Sequence, residues 1–138
     1  MITETLRVYT PVWLLTRRAT TDVELGPYRI PGGSAVCFSP YAVHRDPASY
    51  PDPDRFDPER WLPDRCNIRP RTVYIPFSAG NRGCIGEPIA WAQATITLAT
   101  ITQHWTLHPA PGADIKPAAR LLLMPNRLPM IPPPRHTT

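Results

Sequence analysis

The sequence lacks paired cysteines and long apolar runs, and it has very little lysine. Its three cysteines, Cys37, Cys66 and Cys84, are far apart and form no Cys-x-x-Cys pair, which argues against a structural zinc site or a disulfide framework and favours a reducing compartment. Lys116 is the only lysine, and no basic run or aromatic-interleaved patch indicates nucleic-acid binding. No apolar run reaches the roughly 18 residues of a membrane-spanning helix. These absences predict a cytoplasmic protein that does not bind nucleic acid.

Proline, in contrast, is abundant. It accounts for 20 of 138 residues, well above the ordinary share of about 5%. Proline and glycine together still stay below the combined share of about 25–30% that indicates disorder. Hydrophobic residues make up 42% of the chain, which is enough to form a core. Length and composition therefore predict one ordered domain with short elements and many loops.

The most informative stretch is residues 76–86, Pro-Phe-Ser-Ala-Gly-Asn-Arg-Gly-Cys-Ile-Gly. A β-branched run at residues 72–75 predicts the end of a strand before it, and Glu87-Pro88 predicts the start of a helix after it. Cys84 would then lie in a glycine-rich loop at a helix N-terminus, where free backbone N–H groups favour the thiolate. Arg82 adds a positive charge nearby.

A stabilised thiolate can act as a nucleophile, as a zinc ligand or as an axial ligand to heme iron. A nucleophile needs a base, and no motif links the four histidines to Cys84. A zinc site needs paired ligands, whereas heme iron needs a single thiolate from the protein. A nucleotide-binding loop is a further alternative, but the glycine spacing is not Gly-x-Gly-x-x-Gly and no Lys-Ser/Thr follows. An inert cysteine in a strand-to-helix turn is the remaining alternative.

The pattern Phe77-x-x-Gly80-x-Arg82-x-Cys84-x-Gly86 resembles the cysteine-ligand loop of the cytochrome P-450 family of heme-thiolate monooxygenases. The resemblance implies that Cys84 ligates the iron of heme b and that Phe77, Arg82 and Gly86 contact the cofactor. It also implies the fold class: an α+β fragment, the C-terminal part of the mainly α cytochrome P-450 fold.

A second resemblance lies near the start of the chain. Glu4-Thr5-Leu6-Arg7 is similar to the family's Glu-x-x-Arg motif, and Arg60, in Phe-Asp-Pro-Glu-Arg-Trp, stands where a third partner is expected. The resemblance implies that Glu4, Arg7 and Arg60 form a buried triad with a structural role. No residue is assigned as catalytic.

Other residues are placed around the cofactor by the same resemblance. Arg17 is expected to pair with a heme propionate, for which a guanidinium is well suited. His44 is a further candidate for a propionate contact, with a structural role as the alternative. Val12 and Trp13 are expected to border the substrate.

The first half of the remaining sequence predicts a short helix over residues 1–9, a hairpin of residues 23–25 and 28–30, and a strand over 34–39 in which Cys37 packs as a small hydrophobe. The second half predicts a helix over residues 85–105 and a second hairpin, of residues 118–124 and 127–131, that turns at Pro125-Asn126. Residues 1–131 are predicted to form the heme-binding part, and residues 132–138 a disordered tail.

The resemblance further implies partners and activity. Electrons are expected from NAD(P)H through a ferredoxin or flavin reductase that docks on the cysteine side, and the substrate is expected to be a small apolar molecule. The family's long helical region is expected before Glu4, with any membrane anchor, so this chain alone is expected to be inactive or to need an N-terminal half. A non-enzymatic heme-binding fragment and a structural remnant are the alternatives.

Overall fold

The computed structural model describes residues 1–66 and 71–134, in which short helices alternate with two-stranded antiparallel sheets. The helices are α1 (Ile2–Val8), α2 (Pro40–Val43), α3 (Pro63–Cys66) and α4 (Glu87–His104). The strands are β1 (Leu15–Arg18), β2 (Val23–Leu25), β3 (Tyr28–Ile30), β4 (Ala35–Phe38), β5 (His108–Pro109), β6 (Pro117–Ala119), β7 (Leu123–Pro125) and β8 (Met130–Ile131). Single 3-10 turns cover Pro58–Trp61, Arg71–Val73 and Gly80–Arg82.

Local capping explains several of these boundaries. Ser39 accepts a hydrogen bond from Ala42 N–H at the start of α2, and Asp57 accepts one from Glu59 N–H before the turn Pro58–Trp61. In both cases proline occupies the first helical position, where its missing N–H costs nothing. These devices produce single turns, and they make the region between α2 and α3 a winding coil.

The first two sheets are each an antiparallel pair of strands. β1 pairs with β4, from Leu15 opposite Phe38 to Arg18 opposite Ala35, and β2 pairs with β3. Gly26 has a φ of 58° at the β2–β3 turn, a conformation that glycine adopts without strain. The first predicted hairpin is therefore present.

The second predicted hairpin is wrong in its strand pairing. β6 pairs with β7, so the chain reverses through residues 120–122, and β8 pairs with β5. Asn126 does not turn the chain, because its N–H donates to Lys116 O at 2.8 Å and its side-chain oxygen accepts from Lys116 N–H at 3.0 Å. These bonds extend the β6–β7 ladder.

Two further predictions are corrected. The run before the cysteine loop is no strand: it forms the 3-10 turn Arg71–Val73, and Tyr50 Oη donates to Val73 O at 2.8 Å. A side chain thus satisfies a carbonyl that a strand partner would have bonded. Cys37 lies within β4 but is exposed, because the alternation of that strand places it on the outer face.

The most deeply buried residues surround α1 and the coil that follows α2, and most of them are polar. They are Glu4, Arg7, Val8, Thr10, Pro40, His44, Tyr50 and Arg60. α4 has no buried residue, and Ile89 and Ile96, on its predicted apolar face, are 72% and 66% exposed. The buried centre of the described chain is therefore a hydrogen-bonded network.

The far end of the chain continues to pair beyond β8. Thr106 N–H donates to Pro133 O at 3.1 Å, and Pro134 forms a bridge with Trp105. Pro133 and Pro134, which the sequence analysis placed in a disordered tail, thus pair with the residues just after α4, and residues 135–138 lie outside the described residues. Within residues 1–66 and 71–134, no helix has the length and hydropathy to cross a bilayer.

Candidate functional site

The cysteine loop is closed by three backbone hydrogen bonds. Ser78 N–H donates to Ile75 O at 3.0 Å, Gly83 N–H donates to Gly80 O at 2.9 Å, and Cys84 N–H donates to Phe77 O at 2.9 Å. The last bond joins the two sides of the loop directly at the cysteine. The position of the Cys84 backbone is thus fixed relative to the segment that enters the loop.

The loop needs unusual backbone angles to close. Ser78 has a φ of 65° and Gly80 a φ of 68°. The left-handed region costs a residue with a Cβ about 1–2 kcal/mol, so Gly80 suits its position while Ser78 is strained. After this bend, Gly86 caps α4 with a φ of −83°, and the helix continues from Glu87-Pro88 as the sequence predicts.

The thiol of Cys84 is exposed and lies at a cleft of about 180 Å³. The lining is mainly apolar, with one thiol, one hydroxyl and one guanidinium. The lining residues are Val12, Leu15, Pro76, Phe77, Ser78, Arg82 and Cys84. The structure therefore brings Phe77, Arg82 and Val12, three residues singled out in the sequence, to the cysteine.

Arg17 lies beside the same loop. Its Nη2 donates to Ser78 Oγ at 3.1 Å, and its guanidinium carbon lies 5.5 Å from the centre of the Phe38 ring. Arg18, the next residue of β1, points to the opposite face and is exposed. Strand alternation thus selects Arg17 as the arginine that accompanies the cysteine loop.

Trp13 is separated from this cleft. Its Nε1 donates to Arg120 O at 3.0 Å, and the neighbouring Pro11 O accepts from Leu123 N–H at 2.7 Å. These bonds fasten the segment before β1 to the β6–β7 hairpin. Val12 lines the cleft, whereas Trp13 connects the segment before β1 to the β6–β7 hairpin. The two predicted substrate-side residues therefore have different environments.

The predicted triad is assembled and buried. Arg7 binds Glu4 through two bonds, Nε to Oε2 at 2.9 Å and Nη2 to Oε1 at 2.8 Å. Arg60 Nε donates to Glu4 Oε1 at 3.2 Å. The side chains of Glu4 and Arg7 are fully buried and that of Arg60 is 6% exposed. The triad holds α1 against the turn Pro58–Trp61.

The charge of Glu4 is maintained by its donors. Burial alone raises the pKa of Glu4. Three groups donate hydrogen bonds to its carboxylate: Arg7, Asp57 N–H and Trp61 Nε1. These bonds and the positive charge of Arg7 outweigh burial and hold the pKa of Glu4 below its usual value. The Trp61 bond is 2.8 Å long. The sequence analysis did not single out Trp61 as a partner of the triad, although it directly follows Arg60.

His44, a candidate for a propionate contact with a structural role as the alternative, has both ring nitrogens bonded within the protein. It is fully buried, its Nδ1 lies 2.7 Å from Thr10 Oγ1, and its Nε2 accepts from Ile75 N–H at 2.9 Å. Because both ring nitrogens are engaged by the protein, neither is available to a propionate. Burial lowers the pKa of His44 to about 4, with the positive charge of Arg7 as a further cause.

The alternative of a zinc site receives no structural support. Among the residues that the structure describes, no three His, Cys, Asp or Glu side chains converge to hold a metal ion. Heme iron, in contrast, requires one thiolate, an apolar surface for the ring and cations for the propionates. Cys84, the apolar cleft and the arginines Arg17 and Arg82 fit this requirement.

A loop that presents one cysteine near Arg17 and Arg82, with a buried Glu-Arg-Arg triad, agrees with the class that the sequence resembles, the heme-thiolate proteins. The comparisons agree with this class. The family model described as Cytochrome P450 matches residues 1–133, and the chain belongs to the cytochrome P450 family.

The relatives show how much of the family's length this chain covers. The chain is 46% identical to cyclooctatin synthase from Streptomyces melanosporofaciens over 135 residues, which covers 98% of this chain and 29% of that protein. It is 44% identical to pentalenene oxygenase from Streptomyces avermitilis, covering 86% of this chain and 26% of that protein. The crystal structure of the cytochrome P450DA heme domain matches with a TM-score of 0.89 and 29% identity, covering 98% of this chain and 30% of that domain. The chain thus spans about 30% of the length of its relatives.

Proposed function

We propose that this chain is the thiolate-bearing part of a cytochrome P450 monooxygenase that inserts one oxygen atom of O2 into an apolar organic substrate. The observation that carries the proposal is the exposed thiol of Cys84 at an apolar cleft. Cys84 N–H is bonded across the loop to Phe77 O, so the loop presents the sulfur in a defined place.

Four residues that line the cleft, together with Arg17 beside the loop, have roles in this proposal. Cys84 would ligate the iron of heme b as a thiolate, Phe77 and Val12 would pack against the ring, and Arg17 and Arg82 would hold the propionates. When bound, the heme supplies the activation of O2 and the transfer of oxygen. The chain supplies the ligand, its orientation and part of the apolar lining that excludes water.

The names of relatives support the reaction class. One relative, 42% identical over 135 residues and also from Streptomyces melanosporofaciens, is named cyclooctat-9-en-7-ol 5-monooxygenase, and another is named an oxygenase. We propose an apolar substrate for this chain because members of the cytochrome P450 family, to which it belongs, generally act on apolar substrates. Electrons would come from NAD(P)H through a ferredoxin or flavin reductase on the cysteine side, since members of this family generally receive electrons from such partners.

The experiment compares two cysteine variants. Iron protoporphyrin is titrated into the purified chain, and the spectrum of the reduced carbon-monoxide complex is recorded. The unmodified chain and Cys37→Ser are expected to show the spectrum typical of thiolate ligation, because Cys37 lies on β4 and does not line the cleft. Cys84→Ser is expected to lose that spectrum.

Two outcomes would contradict the ligand assignment: the same thiolate spectrum in Cys84→Ser, or its loss in Cys37→Ser. An assay of substrate oxidation with NADPH, ferredoxin and ferredoxin reductase then separates an enzyme from a heme-binding fragment. The exposure of Cys84 favours a heme-binding fragment as the second candidate for the chain by itself. A thiolate spectrum without turnover would support that candidate.

A further inference from the structure

A chain of three side-chain hydrogen bonds runs from α1 to the segment that enters the cysteine loop. Ile75 N–H donates to His44 Nε2 at 2.9 Å, His44 Nδ1 lies 2.7 Å from Thr10 Oγ1, and Thr10 Oγ1 donates to Arg7 O or Leu6 O, both at 3.0 Å. His44 and Thr10 are both fully buried. The central bond between His44 and Thr10 is therefore shielded from water.

The geometry determines the tautomer of His44. A backbone N–H can only donate, so Nε2 must be the unprotonated, accepting nitrogen. The proton of the neutral ring is then on Nδ1, which donates a hydrogen bond to Thr10 Oγ1. The hydroxyl of Thr10 in turn donates a hydrogen bond to a carbonyl of α1. His44 and Thr10 each donate one hydrogen bond and accept one, and a second proton on the ring would place two donors against each other at Ile75.

The cysteine loop begins at the residue that His44 binds. Ile75 O accepts from Ser78 N–H, and Phe77 O accepts from Cys84 N–H. The ring of His44 also stacks on Tyr74, with centroids 5.4 Å apart, and Tyr74 Oη donates to Thr3 O in α1 at 3.1 Å. Both neighbouring residues at the loop entrance are thus fastened to α1.

We propose that His44 is a positioning residue whose neutral Nδ1–H tautomer fixes the backbone of Ile75 relative to α1 and thereby sets where the loop presents Cys84. The sequence analysis gave a propionate contact and a structural role as alternatives for His44, and its two ring hydrogen bonds favour the structural role. The inference rests on the proposed function only in that Cys84 is taken as the functional end of the loop.

The first test needs no variant and no heme. Long-range proton–nitrogen spectra of the uniformly 15N-labelled chain at neutral pH report which ring nitrogen of His44 carries the proton. A protonated Nδ1 and an unprotonated Nε2 are expected. A proton on Nε2, or the averaged shifts of a free imidazole, would overturn the proposal.

The second test compares two substitutions that each keep one half of the ring's hydrogen bonding. His44→Gln keeps an acceptor near the position of Nε2, and His44→Asn keeps a donor near the position of Nδ1. The Ile75 amide is expected to exchange with solvent about tenfold faster in His44→Asn than in His44→Gln, since one buried hydrogen bond is lost. The amide shifts of Ser78 and Cys84 should move in the same variant.

The control variant is His104→Asn, which changes an exposed histidine in α4 and should leave the exchange rate of the Ile75 amide unchanged. Equal Ile75 exchange in His44→Asn and His44→Gln would mean that the ring only fills space, and would reject the positioning role. Because neither test uses heme, a chain that refuses heme would reject the proposed function and leave this inference standing.

Discussion

Arg60 Nε lies 3.2 Å from Glu4 Oε1, although 56 residues separate the two along the chain. The carboxylate is shared, because Arg7 binds it as well. Two cations against one anion would leave an excess of buried positive charge, and carbonyl oxygens compensate: Arg7 donates to Pro53 O at 2.7 Å and Arg60 donates to Pro51 O at 3.0 Å. Glu4 thus organises the coil between α2 and α3.

Replacing Glu4 tests this role directly. Glu4→Gln keeps the size of the side chain but leaves two buried guanidinium groups without their anion. Removing one partner of a buried ion pair typically costs about 3–5 kcal/mol, which is a large part of the stability of a small domain. We expect Glu4→Gln to be largely unfolded in urea concentrations at which the unmodified chain is native, as measured by circular dichroism.

The matched control removes an exposed ion pair. Asp22 Oδ2 lies 2.7 Å from Arg29 Nη2, with both side chains more than half exposed. Because water solvates both groups after the change, Asp22→Asn should leave the urea midpoint almost unchanged. A midpoint in Glu4→Gln that matches the control would contradict the stabilising role of the triad.

Local sequence signals anticipated the elements whose cause is local. Glu4 and Arg7 are three residues apart on one helix face, Gly26 marks the β2–β3 turn, and Pro88 marks the start of α4. Each structure follows from residues within a few positions of one another, and each agrees with its prediction. Cys84 was placed in its loop on the same kind of evidence.

The failures arise where a partner distant in sequence decides the structure. Asn126 reads as a turn residue, but Lys116 engages both its backbone and its side chain. Ile75 reads as the end of a strand, but its N–H binds the ring of His44. Neither partner can be identified from neighbouring residues, because hydrogen bonds between distant segments form only once the chain has folded.

The stability of the chain should depend on pH through His44. The folded pKa is about 4 and the ordinary value is 6.5, so between these values the unfolded chain binds a proton that the folded chain does not. The contribution of His44 to the free energy of unfolding should therefore be complete above pH 6.5 and should be lost as the pH drops toward 4. The loss should reach up to about 1.4 kcal/mol per pH unit. Arg7 and Arg45 nearby both oppose the charged ring.

Urea titrations at several pH values between neutral and acid would measure this loss. His44→Gln has no titrating ring, so the difference between the unmodified chain and this variant isolates the contribution of His44 from that of the carboxylates. The unmodified chain should lose more stability than the variant over this interval. Parallel pH profiles for the two proteins would show that His44 is not the responsible group.

Two glycines of the cysteine loop should respond differently to alanine. Gly80 has a φ of 68°, so Gly80→Ala should lower the free energy of unfolding by about 1–2 kcal/mol even though open space surrounds the position. Gly86 has a φ of −83°, and an added Cβ would lie 3.7 Å from Cys84 Sγ, an ordinary contact. Gly86→Ala should therefore leave the urea midpoint nearly unchanged.

The same pair separates backbone strain from cofactor contact. If Gly86 faces the cofactor, as its place in the motif predicts, Gly86→Ala should weaken heme binding in a spectroscopic titration while stability is retained. Gly80→Ala should weaken heme binding only in proportion to its loss of folded protein. A Gly86→Ala chain that binds heme as tightly as the unmodified chain would remove Gly86 from the cofactor-contacting residues.

The orientation of the two arginines of β1 leads to a prediction about the heme carboxylates. Arg17 lies beside the cysteine loop through its bond to Ser78, whereas Arg18 points to the opposite face. Arg17→Met should reduce the affinity for iron protoporphyrin about tenfold, the loss expected for one charge-assisted hydrogen bond. Arg18→Met, with the same change of charge, should bind as the unmodified chain does.

A second ligand identifies the cause of that difference. The dimethyl ester of iron protoporphyrin lacks the two carboxylates, so it cannot form the ion pair, and Arg17→Met and the unmodified chain should bind it equally. A persistent deficit with the ester would mean that Arg17 acts by holding Ser78 and the loop, and not through a propionate. If the unmodified chain, Arg17→Met and Arg18→Met bind iron protoporphyrin itself with equal affinity, Arg17 does not contribute to binding.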